Sequence, residues 1–595
     1  MTITSVSERL TALRDGMKAH QLDAYIVTNN DPHSSEYSAD YWLARQWISG
    51  FTGSAGDVVV TANGGGLWTD GRYYIQADEQ LEGSGLDLFK ARLPETPTIA
   101  QWLAQTLPEH AVVGVDGRSI SQLFYTQLTQ AFAKKSIQLV VEHDLISSIW
   151  DDRPSRPKAR LFTHPLDVAG QTTSEKIAHL RRYLTEQDAN ALLVSTLDDV
   201  MWTLNIRGAD TSYCPISESY LLIEQTSSRL FIDSDKLSPE VVAALTQHRI
   251  HLHDYDHLST ALNLLSAGST VLYSAKYCDS LTVRQLKPEL TLIDTPCPVT
   301  DMKAQKNPTE LESMEETLRK DGVAMVKFMK WLDEQVPSGQ VTELNAEQAL
   351  MGYRKQINDY VSESFRTIAG FAEHGAKMHY AADSESSYSI DESSFLLVDS
   401  GGQYLGGTTD ITRTFHFGSP SRREKHDYTL VLKAVIRLTQ TRFLQGSTGA
   451  NLDIMARGVL WQHGIDYKCG TGHGVGMCLN VHEGPQNFSQ NPAEVPLKPG
   501  MVITNEPGVY REGEHGVRIE NIMKVVEVEQ NEFGSFYGFE TITLAPIATN
   551  MIDKSMLDRS EIAWLNQYHK RCWQQLSVDL NEDEKRWLKQ ATLAI

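Results

Sequence analysis

A helix followed by a strand occurs twice in the first half of the chain, and this repetition limits the folds that the sequence can adopt. Apolar residues recur at helical spacing in 6–17, and the β-branched run 24–28 follows them. The same order returns with a helical pattern in 174–184 and a strand-like run at 191–195. A repeated helix and strand unit predicts two related α/β domains in tandem rather than one large domain.

The length of 595 residues is too great for a single hydrophobic core, and two breaks in the pattern indicate where domains end. The segment 151–157 combines two prolines with polar and charged residues, which is typical of a linker. A second proline-rich break lies at 295–298. We therefore predict α/β domains at 1–155 and 156–300, followed by a larger third domain at 301–595.

The third domain mixes helical patterns with strand-like runs, which favours an α+β fold. A long amphipathic helix is predicted to begin with Thr309 as its N-cap, and Ser174 is predicted to cap the helix of the second repeat. The run 395–398 is strand-like, and apolar spacing in 562–573 predicts a helical extension near the C-terminus.

The charge balance argues against a nucleic-acid partner. The chain has 54 Lys and Arg residues against 76 Asp and Glu residues, which gives a formal net charge of −22. A field of this sign repels the phosphate backbone. The surplus of acidic residues therefore disfavours nucleic acid as a partner.

Cysteine usage and the N-terminal pattern favour a cytoplasmic location without a membrane partner. The six cysteines lack CxxC spacing, which fits neither a disulfide framework nor a zinc ribbon. The N-terminal residues alternate apolar and charged positions at helical spacing, unlike a signal peptide or a membrane span. Cytoplasmic is the prediction by elimination.

Four carboxylates and one histidine in the third domain are candidates for a metal site. Asp399 follows a strand-like run, and Asp410 follows a glycine turn eleven positions later, so a hairpin would bring both together. His473, Glu506 and Glu520 also lie in apolar or glycine-rich surroundings, where a lone charge is costly. Such a set could hold two divalent cations with balanced formal charge. Spacing alone leaves open that these are ordinary loop residues.

Six motifs of the third domain, together with the first domain, resemble one enzyme family. The motifs are Asp-Ser-Gly at 399–401, Thr-Thr-Asp-Ile-Thr-Arg-Thr at 408–414, Gly-His-Gly-Val-Gly at 472–476, Val-His-Glu-Gly-Pro at 481–485, Asn-Glu-Pro-Gly at 505–508 and Arg-Ile-Glu-Asn at 518–521. Segments 35–37, 49–56 and 68–73 extend the match into the first domain. The chain resembles the dinuclear metallopeptidases of the pita-bread fold, and among them the long, three-domain Xaa-Pro aminopeptidases (aminopeptidase P). The resemblance implies a pita-bread, creatinase/aminopeptidase-type catalytic domain at 301–595.

The resemblance also implies a ligand set. Asp399 would be a terminal ligand of one metal, Asp410 and Glu520 would bridge, and His473 and Glu506 would complete the other. The family usually works with manganese, and a mainly oxygen set with one histidine suits Mn²⁺, although Co²⁺ or Zn²⁺ could also bind it.

The implied reaction removes the N-terminal residue from peptides with proline at the second position. Metal-activated hydroxide would attack the scissile carbonyl, and Glu506 would pass the proton of the water to the leaving nitrogen. That transfer is needed because the nitrogen of an Xaa-Pro bond carries no hydrogen. His379 and His482 match family positions that flank the substrate, bracketing the proline ring and binding the scissile carbonyl.

Two alternatives and one departure from the family remain at this point. A prolidase that cuts only Xaa-Pro dipeptides is the runner-up, although such relatives are usually shorter, and a non-catalytic peptide-binding protein of the same fold is the third possibility.

The family resemblance also implies a homodimer. Cys469 stands where many members carry a histidine four residues before the ligand histidine, and we predict a small packing residue there rather than a catalytic one.

Overall fold

The computed structural model describes residues 5–491 and 495–595, which fall into two compact units. Unit 1 comprises the residues up to Thr163 together with Gln171–Val299, and unit 2 comprises His164–Gly170 and Thr300–Ile595. None of the helices in the described part of the chain has the length and apolar character required to cross a membrane.

The first sheet of unit 1 has six strands with helices between them. The strands are β1 (Ala24–Val27), β2 (Asp57–Thr61), β3 (Gly65–Thr69), β4 (Asp87–Lys90), β5 (Val112–Val115) and β6 (Gln138–Val140). The helices are α1 (Val6–Ala19), α2 (Ala44–Ser49), α3 (Tyr74–Gln80), α4 (Ile99–Thr106) and α5 (Gln122–Phe132). The strand order is β4-β3-β2-β1-β5-β6, with β1 antiparallel to β2 and parallel to β5.

The second sheet of unit 1 repeats this topology. This part of the chain contains β7 (Phe162–Thr163), α6 (Leu166–Ala169, which belongs to unit 2), α7 (Thr173–Glu186), β8 (Ala191–Val194), α8 (Leu197–Leu204), β9 (Ile206–Arg207), β10 (Ser219–Glu224), β11 (Ser228–Ile232), α9 (Pro239–Gln247), β12 (His251–His253), α10 (Leu258–Asn263), β13 (Thr270–Tyr273), α11 (Ser280–Arg284) and β14 (Thr291–Asp294). Strands β7 and β9 pair with each other in a separate two-stranded sheet. The order β12-β11-β10-β8-β13-β14 corresponds strand for strand to the first sheet, and the parallel and antiparallel pairs also correspond. The predicted pair of related α/β folds is confirmed.

Unit 2 combines helices with antiparallel sheets. Its helices are α12 (Pro298–Ala304, which begins in unit 1), α13 (Pro308–Gln335), α14 (Glu343–Arg354), α15 (Arg422–Thr439), α16 (Gly449–Trp461), α17 (Arg559–Leu576) and α18 (Glu582–Ala591). Its strands are β15 (Tyr360–Glu363), β16 (Ile368–Phe371), β17 (Leu396–Ser400), β18 (Gly402–Tyr404), β19 (Gly407–Thr408), β20 (Ile411–Phe415), β21 (Phe443–Leu444), β22 (Gly472–Gly474), β23 (Glu483–Phe488), β24 (Val502–Asn505), β25 (Gly508–Arg511), β26 (His515–Arg518), β27 (Asn521–Asn531) and β28 (Gly534–Thr541). The principal sheets have the orders β16-β17-β20 and β21-β28-β27-β24-β22-β23.

Helices cover one face of each of these two sheets. α13 and α14 pack on the β16-β17-β20 sheet through a core that includes Phe328, Leu350 and Val398. α15 and α16 pack on the larger sheet through Leu438 and Ile503, among others. Because side chains alternate along a strand, the neighbours of these core residues point to the other face of each sheet.

Two predicted helix caps were wrong by two residues. Thr172 rather than Ser174 caps α7, because its hydroxyl and the side chain of Glu175 form a reciprocal capping box. Asn307 rather than Thr309 caps α13, because its side chain accepts two backbone N–H groups. Pro308 then occupies the first helical position, where its missing N–H costs nothing.

Candidate metal centre

The β16-β17-β20 sheet carries two of the predicted carboxylates. Asp399 lies inside β17, opposite Thr412 of β20, and not after the strand as predicted. Val398 packs against the helices, so the alternating direction of side chains points Asp399 to the other face. Asp410 directly precedes β20. The predicted hairpin is present, but the short strands β18 and β19 form within its connection.

The larger sheet carries His473 and Glu506. His473 lies in β22, and Glu506 follows the neighbouring strand β24. The backbone N–H of His473 donates to Thr504 Oγ1 at 3.0 Å, and that of Glu506 donates to the carbonyl of Thr471 at 2.8 Å. The two segments are therefore fixed to each other by their backbones as well as by the sheet.

Side-chain distances bring the two sheets to one place. His473 Nε2 lies 3.4 Å from Asp410 Oδ2 and 3.3 Å from Glu506 Oε1. Glu520 joins from the turn between β26 and β27, where its N–H donates to the carbonyl of Thr412 at 3.1 Å. One ligand atom each from Asp410, His473 and Glu520 lies within 4.8 Å of the others. This spacing is suited to a bound cation.

Two oxygens of this cluster, Asp399 Oδ1 and Glu520 Oε1, are buried without hydrogen-bond partners among the described residues. Burial, assisted by the charges of Asp410 and Glu506, raises the pKa of Asp399 to about 6, although Arg518 acts in the opposite direction. Burial and nearby carboxylates also raise the pKa of Glu520 well above its usual range. Oxygens in this state fit divalent cations, which supply the missing positive charge.

The carboxylates around His473 favour the charged form of its ring. Burial alone lowers the pKa of His473, but the hydrogen bond to Asp410 and the charge of Glu506 outweigh it and raise the pKa to about 9. The ring also contacts the carbonyl of Gly474 through Nδ1 at 2.9 Å. A cation at Nε2 requires the neutral ring, so binding there would displace a proton.

Arg518 belongs to the site although sequence analysis assigned it no role. Its Nη2 donates to Asp399 Oδ2 at 2.6 Å, its Nε to Thr412 Oγ1 at 3.1 Å and its Nη1 to Tyr510 Oη at 2.6 Å. Thr412 Oγ1 donates in turn to Glu520 Oε2 at 2.8 Å. Arg518 thus holds one oxygen of Asp399 and leaves the other for a ligand. The available signal was its position two residues before Glu520.

The predicted substrate histidine His482 lies beside this cluster, and His379 follows a residue that contacts Arg518. The ring of His482 packs edge-on against His473, with centroids 4.3 Å apart. His379 follows Met378, whose carbonyl accepts a hydrogen bond from Arg518 at 3.4 Å. Both histidines are partly exposed, as a substrate contact requires.

Cys469 lies on the loop that leads into β22. It is half-buried and packs against the apolar cluster formed largely by α15 and α17. Arg457 Nη2 donates to its carbonyl at 3.1 Å. The packing role predicted for Cys469 agrees with these surroundings.

Family models match most of the chain. A creatinase/prolidase N-terminal domain matches residues 9–148, and a second model with the same description matches 152–310. The model of metallopeptidase family M24 matches 312–527, and the C-terminal region of peptidase M24 matches 535–595.

Full-length relatives support the same assignment. A probable Xaa-Pro aminopeptidase P of Aspergillus flavus is 39% identical over 615 aligned residues, which cover 100% of this chain and 94% of the relative. Aminopeptidase P2 of Arabidopsis thaliana is 37% identical, with 98% and 88% covered. The crystal structure of X-prolyl aminopeptidase from Caenorhabditis elegans, described as a cytosolic enzyme with a di-nuclear active site, matches with a TM-score of 0.96, 33% identity and full coverage of both chains.

Proposed function

Because this chain belongs to the Xaa-Pro aminopeptidase P group of metallopeptidase family M24, we propose that it removes the N-terminal residue from peptides with proline at the second position. The observation that carries the proposal is the convergence of separate motifs on one cluster. Asp410 and His473 come from different sheets, and Glu520 comes from a turn, yet their ligand atoms meet. Asp399 Oδ1 and Glu520 Oε1 are buried without a hydrogen-bond partner in residues 5–491 and 495–595, and both favour a positive charge beside them.

We propose that the cluster holds two divalent cations, with Mn²⁺ as the physiological ion. Asp399 would bind one cation, Asp410 and Glu520 would be shared, and His473 and Glu506 would bind the second. When bound, the cations polarise the scissile carbonyl and lower the pKa of the attacking water. The oxygen-rich donor set supports Mn²⁺ on grounds of hardness, and Co²⁺ and Zn²⁺ are the competing ions.

Glu506 is proposed as the group that moves the proton. Its side chain keeps 19% of its surface exposed, so a bound peptide can reach it. Thr504 Oγ1 donates to Glu506 Oε1 at 3.3 Å, which orients the carboxylate. In this position Glu506 accepts a proton from the attacking water and delivers it to the proline nitrogen, which cannot leave as an anion.

The remaining residues of the proposal bind the peptide. His482, beside His473, would donate to the scissile carbonyl as negative charge develops on it, and His379 would flank the proline ring. Asp399 Oδ1 would lie near the free α-amine of the first residue, which accounts for exopeptidase action. We also propose a cytoplasmic homodimer whose chain divides into domains at 1–155, 156–300 and 301–595.

A peptide panel tests the activity. The full chain, loaded with Mn²⁺, should release the first residue from an Xaa-Pro-Xaa tripeptide and leave the matched Xaa-Ala-Xaa tripeptide intact. Faster cleavage of the Xaa-Pro dipeptide would identify a prolidase instead. Binding of the tripeptide without any metal-dependent cleavage would identify a non-catalytic peptide-binding protein.

Asp410→Asn provides the matched variant. It preserves the size of the side chain but removes one of the shared charges, so metal content and cleavage should fall together. Metal analysis of the purified protein identifies the bound ion, and light scattering after gel filtration measures the oligomeric state.

A further inference from the structure

Glu483, the residue after His482, belongs to a buried cluster with Lys303 and Lys306. Glu483 begins β23, and its side chain is fully buried. Its Oε1 accepts a hydrogen bond from Lys306 Nζ, and its Oε2 lies 3.4 Å from Lys303 Nζ. Lys306 Nζ also donates to the carbonyl of Lys303 at 2.9 Å. Both lysine side chains are at most 2% exposed.

Such a cluster is better suited to fixing geometry than to raising stability. Moving an ammonium group and a carboxylate out of water costs free energy that their attraction only partly returns, and apolar residues of the same volume often perform as well. Charge-assisted hydrogen bonds are, however, short and directional. The cluster therefore holds the start of β23 in one place relative to the chain segment just before α13.

The segment that contains His482 is anchored on both sides. On one side, Glu483 pairs with Gly474 across β22 and β23, next to the proposed ligand His473. On the other side, Gln403 Nε2 donates to the carbonyl of Leu479 at 2.7 Å. The His482 ring, packed against His473, thus lies between two fixed points.

We propose that Lys303, Lys306 and Glu483 are positioning residues that hold His482 in register with the scissile carbonyl. The inference depends on the proposed function, because it assigns these residues to the aminopeptidase reaction. They act through His482 and do not themselves touch the peptide. A displacement of about 1 Å at a reacting group can cost about 100-fold in rate, so a cluster that prevents such a shift contributes to kcat.

A double-mutant cycle tests the proposal with the metal-loaded full chain and an Xaa-Pro-Xaa tripeptide. Glu483→Gln should lower kcat by about 10- to 100-fold, with KM changed less than about threefold and the metal content unchanged. In the His482→Ala background, Glu483→Gln should lower kcat by less than about twofold, because the residue it positions is gone. Glu561→Gln is the matched control, since Glu561 is a buried partner of Lys433 that joins α17 to α15. It should leave kcat of the folded protein unchanged.

Other outcomes overturn the proposal. An equal loss of kcat from Glu483→Gln in both backgrounds would show a general structural role. If His482→Ala itself cleaves the tripeptide at the full rate, the proposed role of His482 fails and the positioning role fails with it. If the metal-loaded parent protein itself does not cleave the tripeptide, the proposed function fails.

A second variant covers the case in which Glu483→Gln does not fold. Replacing Lys303, Lys306 and Glu483 together by Met removes all three charges of the cluster and retains apolar volume, which should restore folding as measured by circular dichroism. We expect kcat of this folded variant to remain at least about tenfold below that of the parent. Full recovery of kcat would contradict the proposal.

Discussion

Two clusters of unit 2 that contain buried carboxylates differ in whether the carboxylate oxygens have hydrogen-bond partners. Asp427 on α15 accepts hydrogen bonds from Arg511 Nη2 at 2.8 Å and Arg511 Nε at 2.5 Å, and its Oδ2 lies 3.0 Å from His515 Nε2. In the proposed metal centre, Asp399 Oδ1 and Glu520 Oε1 lack hydrogen-bond partners in the described part of the chain.

The pKa shifts of the two clusters have opposite signs. Burial alone would raise the pKa of Asp427, but Arg511 and His515 outweigh it and hold the pKa well below its usual range. Burial and neighbouring carboxylates raise the pKa of Glu520. The first cluster is complete within the protein, whereas the second requires positive charge from outside. In this pair of clusters, the carboxylate with cationic partners belongs to a structural ion pair, and the carboxylates with partnerless oxygens belong to the proposed metal centre.

The largest expected effect comes from the incomplete cluster. Glu520→Gln removes a proposed shared ligand, so kcat/KM for an Xaa-Pro-Xaa tripeptide should fall about 1,000-fold or more with loss of bound metal. The metal-free variant should be at least as stable as the metal-free parent, because folding of the parent must either bury this carboxylate as an anion or protonate it. Urea unfolding in EDTA measures this stability. A clear loss of stability would make Glu520 a scaffold residue and remove the contrast.

The complete cluster should show the reverse behaviour. Asp427→Asn removes the buried carboxylate charge that Arg511 and His515 contact, which should lower the free energy of unfolding by about 1 to 3 kcal/mol because Arg511 is itself partly exposed. The kcat of the folded fraction should stay within about twofold of the parent. Urea unfolding and active-site titration at low temperature separate the two quantities. A large fall in kcat with unchanged stability would place Asp427 in the site.

Cation binding should stabilise the protein through the incomplete cluster alone. At a free Mn²⁺ concentration 100 times its Kd, a single site adds about 2.7 kcal/mol to the folded state and raises Tm. Asp427→Asn should keep this increase, and Glu520→Gln should lose it. Differential scanning calorimetry with and without EDTA provides the comparison. Equal increases in both variants would indicate binding elsewhere.

Sequence patterns predicted the repeated domains well because their signals are local. The alternation of helices and strands around 24–28 and 191–195 depends on neighbouring residues, and the two sheets confirm it. The helix caps were missed because the choice between Asn307 and Thr309 depends on which side chain completes a reciprocal bond. That choice requires the geometry of the first turn.

The partners of the site residues were harder to predict than the candidates themselves. Motifs identified Asp399 and Glu520 through a family resemblance, and spacing alone did not decide their role. Arg518 lies 119 positions from Asp399, so their contact follows from the packing of separate strands. Whether a carboxylate is satisfied depends on such distant partners, so residue spacing alone could not show that Asp427 has cationic partners and that Asp399 Oδ1 has none in the described part of the chain.

The smallest expected effect is a difference in acid stability between the parent and Asp427→Asn. The pKa of Asp427 is lower in the folded state than in the unfolded chain, so the unfolded chain binds more protons as the pH falls. The stability that Asp427 contributes is fully present above about pH 5 and is lost progressively below the ordinary carboxyl pKa of about 4. The parent should therefore lose more stability than the variant between about pH 5 and about pH 3, the range in which an ordinary carboxyl group takes up its proton. Urea unfolding of the metal-free proteins across this range measures the gap, and its widening towards low pH would show that Asp427 is not held ionised by Arg511 and His515.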